Sequence, residues 1–191
     1  MILYHGSITP SINKIATNSI LHGTTNKNVV YLTDNRAYAL LYIWDPSHNI
    51  KRGKHVTAWI KEGIVYYEEQ FPQQLKAFYD NVKGYIYCVD QNNSFYPVDD
   101  SESMWYSSAH AMVNGTEHIS NVYDELCKCE NDGQLKVIRF EDVDKRRIDD
   151  LYNNIAKNII KKGLIELPND NDALFYQKYF PSVWEMAKNR I

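Results

Sequence analysis

The hydrophobic period of the sequence changes near residue 141, and this change limits the folds that the chain can adopt. Before it, short runs of β-branched and aromatic residues alternate with turn residues, which predicts β-strands. After it, apolar residues recur every three or four positions, as in an amphipathic helix. The sequence therefore predicts an α+β fold, with a mostly antiparallel β-body over residues 1–141 and a C-terminal helical extension packed on that body over residues 142–191.

The predicted strands are apolar runs bounded by turn residues. They cover residues 1–5, 28–33, 55–60, 63–69, 84–90 and 135–140, with less regular strand pieces inside 94–115. A first helix is predicted from a cap at Thr33 or Asp34 through about Trp44. Two further helices are predicted, one whose first turn contains Pro72 and one capped by Ser120.

The clearest helical pattern of the chain lies in residues 142–191, which we call the tail. Its apolar stripe consists of Ile148, Leu151, Tyr152, Ile155 and Ile159. Gly163 is predicted to end this helix, because glycine adopts the left-handed conformation that closes helices. A final helical segment is predicted from about Asp172, with Pro181 restarting or kinking it.

Charge and cysteine content argue against several classes of protein. The 191 residues carry a formal net charge of −3, and the basic residues are scattered, so nothing predicts a nucleic-acid or anionic-membrane surface. The three cysteines, with Cys127 and Cys129 in C-x-C spacing, predict neither a disulfide framework nor a metal site. The N-terminus lacks signal-peptide features and no apolar run reaches membrane-spanning length, which predicts a cytoplasmic protein without a membrane partner.

Two short motifs indicate a ligand site. LYHGS at residues 3–7 ends a strand with a histidine, a glycine and a hydroxyl. VYLTDNRAYALLY at residues 30–42 places Tyr31 near a strand end and Tyr42 eleven positions later on the predicted helix, where Tyr38 neighbours it and is predicted to pack. An aromatic residue at each end of a strand–turn–helix can form a slot for a flat aromatic ligand.

Together, these motifs resemble ADP-ribosyltransferases of the diphtheria-toxin and poly-ADP-ribose polymerase type, whose signature is His–Tyr–Glu. The resemblance covers about a fifth of the chain, residues 3–42. It implies a split, mostly antiparallel β-body with NAD bound as substrate in a cleft. It also implies transfer of ADP-ribose, with release of nicotinamide, to an unknown acceptor that is a protein, a nucleic acid or a small molecule. When water is the acceptor, the reaction is NAD hydrolysis.

The resemblance implies a role for each matching residue. His5 would hydrogen-bond the adenosine ribose, while the backbone of Gly6, helped by Ser7, would bind the nicotinamide amide. Tyr31 and Tyr42 would sandwich the nicotinamide ring. His5 and Tyr31 are therefore the catalytic and NAD-binding candidates of the first two motifs. The chain has neither G-x-x-x-x-G-K-[ST] nor G-x-G-x-x-G, so no phosphate loop of those kinds is predicted.

The third member of the signature is a glutamate. A carboxylate can stabilise the oxocarbenium-like transition state and bind a ribose hydroxyl. The family places it on a late strand that enters the cleft, and Glu117 in NGTEHIS is the candidate, because it follows most of the predicted body strands. Glu125, Glu130 and Glu141 are the alternatives. No E-x-E or Q-x-E pair is present, so the arginine-modifying toxin subtype is not predicted.

Two other functions remain open from the sequence. One is a non-catalytic nucleotide-binding or protein-interaction module on the same fold. The other is RNA 2′-phosphate transfer, which would require a basic channel that the scattered charge does not predict. Residues 67–87 also resemble uncharacterised bacterial proteins, and that resemblance implies no activity.

Overall fold

The structure is a computed structural model that describes residues 1–21, 27–45, 55–99 and 101–191. It has the predicted α+β fold with mostly antiparallel sheets. The chain divides into two compact units that alternate along the sequence. The first contains Met1–Asp45, Ala58–Tyr67 and Leu75–Val137; the second contains Glu68–Gln74, Ile138–Ile191 and the described part of Pro46–Thr57. The predicted division into 1–141 and 142–191 has other bounds than these units, and it stays a prediction.

The strands of the described chain are short, and its longest helix lies in the C-terminal part. The strands are β1 Ile2–Ser7, β2 Lys14–Ile15, β3 Ser19–Ile20, β4 Asn28–Thr33, β5 Thr57–Lys61, β6 Ile64–Glu68, β7 Gly84–Asp90, β8 Tyr96–Pro97, β9 Met104–Ser107, β10 Ala111–Met112, β11 Gly115–Ile119 and β12 Leu135–Ile138. The helices are α1 Arg36–Leu40, α2 Gln74–Tyr79, α3 Val122–Asn131, α4 Lys145–Lys161, α5 Asn171–Tyr179 and α6 Pro181–Lys188.

The main sheet has the strand order β11-β7-β1-β4-β9-β8, and β3 also pairs with β4. Separate small sheets have the orders β10-β2 and β12-β6-β5. In the main sheet, β1 pairs with β7 from Ile2 to Ser7, whereas β1 and β4 share only the pair Tyr4–Thr33 among the described residues. The resemblance implies a split β-body, and this weak join is where a split would lie.

Different parts of the chain pack on the two faces of the main sheet. Leu3, Leu32 and Tyr87 belong to a buried apolar cluster on one face. On the other face, α1 lies so close to β1 that a Cβ atom on Gly6 would be 2.1 Å from the carbonyl oxygen of Ala39. Alternating side chains of the strands therefore enter two different environments.

Helix α1 is much shorter than predicted, and its cap is Asn35 rather than Thr33 or Asp34. The side chains of those two residues have other partners: Thr33 Oγ1 accepts from the Asn35 amide at 3.1 Å and Asp34 Oδ2 accepts from Trp105 Nε1 at 3.0 Å. Asn35 Oδ1 accepts from the Tyr38 amide at 3.0 Å, which satisfies an N-terminal donor. The helix ends at Leu40.

Most other predicted elements are present, several of them with shifted ends. The strand predicted over 84–90 has those bounds, and the strand predicted over 135–140 ends two residues early, at Ile138. Helix α2 begins at Gln74, so Pro72 precedes it instead of lying in its first turn. Helix α3 is capped by Asn121, one residue after the predicted Ser120, through a hydrogen bond from the Tyr123 amide.

In the second unit, α4 buries Ile155 and Ile159 of the predicted stripe. Gly163 ends this helix region in the left-handed conformation, with φ at 63°. Pro181 is the first residue of α6, so the predicted restart is confirmed. Short 3₁₀ turns cover Phe140–Asp142 and Leu164–Glu166. Within the described residues, no helix is long and apolar enough to cross a membrane.

Candidate functional site

The strand register fixes which side chains share a face of the main sheet. Paired residues of antiparallel strands project from the same face, and successive residues alternate. Glu117 pairs with Ile86, and Ile86 pairs with Gly6. Tyr4 of β1 pairs with Thr33 of β4. Gly6 and Tyr31 each lie two residues away from this pair on the same two strands, so they are also on one face of the sheet. Glu117, Gly6 and Tyr31 are therefore on the face that α1 covers at Gly6.

His5 projects from the opposite face. It pairs with Tyr87, which belongs to the buried apolar cluster on that side, and Tyr87 pairs with Thr116. The half-buried imidazole thus has a different environment from Tyr31 and Glu117. The register does not bring the three members of the predicted triad together on one face.

Gly6 and Ser7 lie at the end of β1, as predicted. Gly6 is buried, and the Ala39 carbonyl and the Ile43 side chain occupy the space beside its α-carbon. Ser7 Oγ accepts from the Thr9 amide at 3.1 Å, so it stabilises the turn that follows the strand. The glycine and the hydroxyl of this motif therefore each have a structural role in the chain itself.

Tyr42 does not lie on the predicted helix face, because α1 ends at Leu40. The amide of Tyr42 donates to Ala39 O at 3.0 Å, an i to i−3 bond that tightens the turn after the helix. Its ring packs edge-on against Tyr38, with centroids 5.4 Å apart. The prediction that Tyr38 and Tyr42 lie next to each other is confirmed, although Tyr42 lies beyond the end of the helix.

Glu117 lies in β11 and is bound by an arginine that sequence reasoning overlooked. Arg36, the first residue of α1, donates Nη2 to Glu117 Oε1 and Nε to Oε2 at 3.0 Å, a bidentate ion pair. Nη2 also approaches Glu125 Oε2 at 3.3 Å, and Lys128 Nζ lies 2.6 Å from Glu125 Oε1. The hydrogen bond to Glu117 raises the pKa of the Arg36 guanidinium, and the hydrogen bond from Lys128 lowers the pKa of Glu125.

Glu117 is also remote from Tyr31. Strands β11, β7, β1 and β4 are successive neighbours, so three strand spacings separate the two residues, or about 14 Å between their backbones. The strand next to β4 on its other side is β9, whose residues Met104–Ser107 include no carboxylate. A ring stacked on Tyr31 would therefore lie far from the Glu117 carboxylate.

Beside Tyr31, the sheet forms a row of three tyrosines. Tyr31 pairs with Tyr106 and Tyr106 pairs with Tyr96, so all three project from one face. The rings of Tyr96 and Tyr106 are 5.8 Å apart and tilted by 37°. Lys27 Nζ lies over the Tyr106 ring, 5.5 Å from its centroid. We call Tyr31, Tyr106 and Tyr96 the tyrosine row.

The end of the tyrosine row borders a concave surface of about 400 Å³. Its lining includes Lys27, Ser94, Tyr96, Tyr106 and Ser108. It therefore combines two aromatic rings, an ammonium group and hydroxyls, a set that suits a ligand with a flat ring and an anionic group. The sequence does not reveal this concave surface, because the alternation of side chains in MWYSS predicts a strand but not the strands that pair with it.

The described residues contain no cluster of three or more histidine, cysteine or acidic side chains that could hold a metal ion. Burial raises the pKa of the Cys88 and Cys129 thiols, which favours the protonated, poorly nucleophilic form. Neither thiol is activated for covalent chemistry.

Comparisons with family models, curated proteins and solved structures found no match to this chain.

Proposed function

We propose that the chain binds NAD, or the ADP-ribose part of it, at the tyrosine row, as an ADP-ribosyltransferase-like protein without catalytic use of Glu117. The observation that carries the proposal is the concave surface where Lys27 and the rings of Tyr96 and Tyr106 meet. A nucleotide offers the complementary groups, because its rings can stack on tyrosine and its phosphates can accept from an ammonium group.

The size and the position of the concave surface support a nucleotide as its ligand. A concave surface of about 400 Å³ lies within the range of small-molecule sites, which is about 300–1,000 Å³. Tyr96 is 54% exposed, so its ring is accessible for stacking. Tyr31, which the resemblance assigns to the nicotinamide ring, projects from the same face as both lining tyrosines.

Binding without turnover is the better-supported form of this function. The resemblance requires a carboxylate near the nicotinamide ribose, whereas Glu117 is three strands from Tyr31 and is held by Arg36. His5, the other catalytic candidate, projects from the opposite face. These positions support a nucleotide-binding module rather than an assembled transferase.

NAD-dependent ADP-ribosyl transfer is the second candidate function. The observation in its favour is that Glu117 shares a sheet face with Tyr31 and that 45% of its side chain is exposed. In this reaction, the bond between nicotinamide and ribose breaks, nicotinamide leaves with the bonding electrons, and an acceptor nucleophile bonds to the ribose carbon. The acceptor would be a protein, a nucleic acid, a small molecule or water.

Calorimetric titration of the purified chain with NAD tests the binding proposal. We expect saturable binding that Tyr106→Ala weakens by about 5- to 150-fold, because stacking of a base on an aromatic ring contributes about 1–3 kcal/mol. Tyr66→Ala is the matched control, since Tyr66 is a half-buried strand tyrosine stacked on Trp59 in another sheet. A folded wild-type chain that binds neither NAD nor ADP-ribose would refute the proposal.

Nicotinamide release separates the two candidates. Wild type, Glu117→Gln and His5→Ala would be incubated with NAD, with and without cell lysate as a source of acceptor. Binding without release in any of the three supports the binding module. Release by wild type that Glu117→Gln abolishes, with folding intact, would establish the transferase and overturn our preference.

A further inference from the structure

Lys27, which lies directly before β4, places its ammonium group over a ring of the tyrosine row. Its Nζ atom is 5.5 Å from the centroid of the Tyr106 ring, a distance at which a cation is attracted to the electron-rich face of the ring. Lys27 is exposed and lines the same concave surface as Tyr106 and Tyr96. The ammonium group therefore covers a face of the Tyr106 ring, and a flat ligand ring can stack on that face only if the ammonium group moves.

The concave surface is positively charged where its lining is described. Besides Lys27, the described lining consists of two tyrosines, three serines and Ala109, and none of these side chains is acidic. Lys27 takes part in none of the ion pairs among the described residues. Its charge is therefore available to an anionic group of a ligand, and a phosphate would accept hydrogen bonds from it.

The position of Lys27 has opposite effects on different ligands. An uncharged nucleoside must displace the ammonium group from Tyr106 and gains no ion pair in return, so its binding is weakened by the lost attraction between cation and ring. A nucleotide displaces the same group, but its phosphate then accepts a hydrogen bond from the ammonium group. A ring that carries its own positive charge, such as the nicotinamide ring of NAD, is repelled by Lys27.

We propose that Lys27 makes this surface selective for a neutral base that carries a phosphate. The adenosine phosphate end of NAD, and not its cationic nicotinamide ring, would then stack on Tyr106 and Tyr96. This inference rests on the proposed nucleotide binding and adds which end of the nucleotide the concave surface takes. Lys27 is thus a specificity-determining residue, because its charge favours the phosphate and disfavours both an uncharged nucleoside and a cationic ring.

Titration of the full-length chain with AMP and with adenosine, followed by NMR spectroscopy, tests the role of the phosphate. We expect wild type to bind AMP about ten-fold more tightly than adenosine, because a hydrogen bond between charged groups outweighs the lost contact with the ring. Lys27→Met removes the charge and keeps a long apolar side chain. We expect it to weaken AMP binding about ten-fold and to leave adenosine binding unchanged or up to about five-fold tighter. Equal weakening of both ligands would refute the role of Lys27 in selection.

The oxidised and reduced forms of nicotinamide mononucleotide test the role of the ring charge. The oxidised ring is cationic and the reduced ring is neutral, whereas both forms carry the same phosphate. We expect wild type to prefer the reduced form. We expect Lys27→Met to shift the ratio of the two affinities toward the oxidised form by about three-fold, the effect of one like charge near the protein surface. An unchanged ratio would overturn the assignment of ring selection to Lys27.

Lys136→Met is the matched control, because Lys136 Nζ lies 5.7 Å from the centroid of the Tyr66 ring but does not line the concave surface. We expect it to bind all four ligands as wild type does. Lys27→Arg keeps the charge and should keep the preference for AMP over adenosine. AMP binding that Lys27→Met does not weaken would leave nucleotide binding in place and refute selection by Lys27. A folded wild-type chain that binds neither AMP nor NAD would refute both proposals.

Discussion

At the scale of single residues, Gly6 shows how a motif can have a structural explanation in addition to a functional one. The resemblance assigns its backbone to nicotinamide binding. In the structure, the absence of a side chain lets the Ala39 carbonyl and Ile43 approach β1 closely. Glycine is thus required at this position by packing alone.

We predict that Gly6→Ala lowers the free energy of unfolding by about 1–3 kcal/mol, because the new methyl group would overlap a backbone carbonyl that cannot rotate away. Urea unfolding followed by circular dichroism measures the change. Gly115→Ala is the matched control in the same sheet: its Cβ would lie 3.4 Å from Cys88 Cβ, an ordinary contact, so we expect a change within about 0.5 kcal/mol. Equal losses in the two variants would contradict the packing explanation.

Arg36 and Gln70 are residues whose importance no local pattern indicates. Arg36 looks like an exposed helix residue in the sequence, yet it binds the carboxylates of Glu117 and Glu125 from distant strands and helices. Gln70 lies in an acidic–polar run that suggests a solvated surface, yet it is buried. Arg36 and Glu117 are 81 positions apart along the chain and Gln70 and Tyr152 are 82 apart, so these contacts depend on how the elements pack.

At the scale of secondary-structure elements, capping side chains mark where four of the described helices begin. Asn35, Asn121, Asp144 and Asp170 each accept a hydrogen bond from an amide in the first turn of the helix that follows. Thr33 and Ser120 were suitable caps by residue type, but neighbouring residues have that role. Competition among adjacent polar residues is settled by their other partners, as with Asp34 and Trp105.

We predict that Asp144→Ala lowers the free energy of unfolding by about 1 kcal/mol, since the Arg146 and Arg147 amides would lose the acceptor that now lies 2.9 Å and 3.2 Å away. The measurement is chemical denaturation at constant pH. Asp149→Ala, at an exposed position inside the same helix, removes the same charge without a cap and should change stability by less than about 0.5 kcal/mol. A loss in Asp149→Ala as large as that in Asp144→Ala would mean that charge, not capping, is responsible.

At the scale of the whole molecule, the second unit is not formed by the C-terminal tail alone. Its aromatic cluster includes His55 and Phe71, which precede the tail by many residues. The His55 ring lies 4.7 Å from Phe175, and the Phe71 ring lies 5.3 Å from Phe180. The tail therefore supplies packing partners for side chains that the chain places before residue 141.

We predict that a chain ending at residue 141 does not fold into a stable domain, because it exposes Phe71 and His55, both now buried. The expected result is strong binding of a hydrophobic dye and loss of a cooperative thermal transition. Deletion of Ile191 alone, which is 76% exposed, is the control and should leave the transition unchanged. A monomeric 1–141 chain with a sharp transition would instead support the domain boundary predicted from sequence.

The sequence by itself determined the fold class, the strand over residues 84–90, the helical stripe of the tail and the roles of Gly163 and Pro181. These features depend on backbone geometry within a few residues, which side-chain periodicity and turn residues report directly. Only the tertiary structure decided that His5 and Tyr31 project from opposite faces, and that Tyr106 joins Tyr31 in one row. Strand order and register are set by which distant surfaces bury one another, and a one-residue shift would exchange every face.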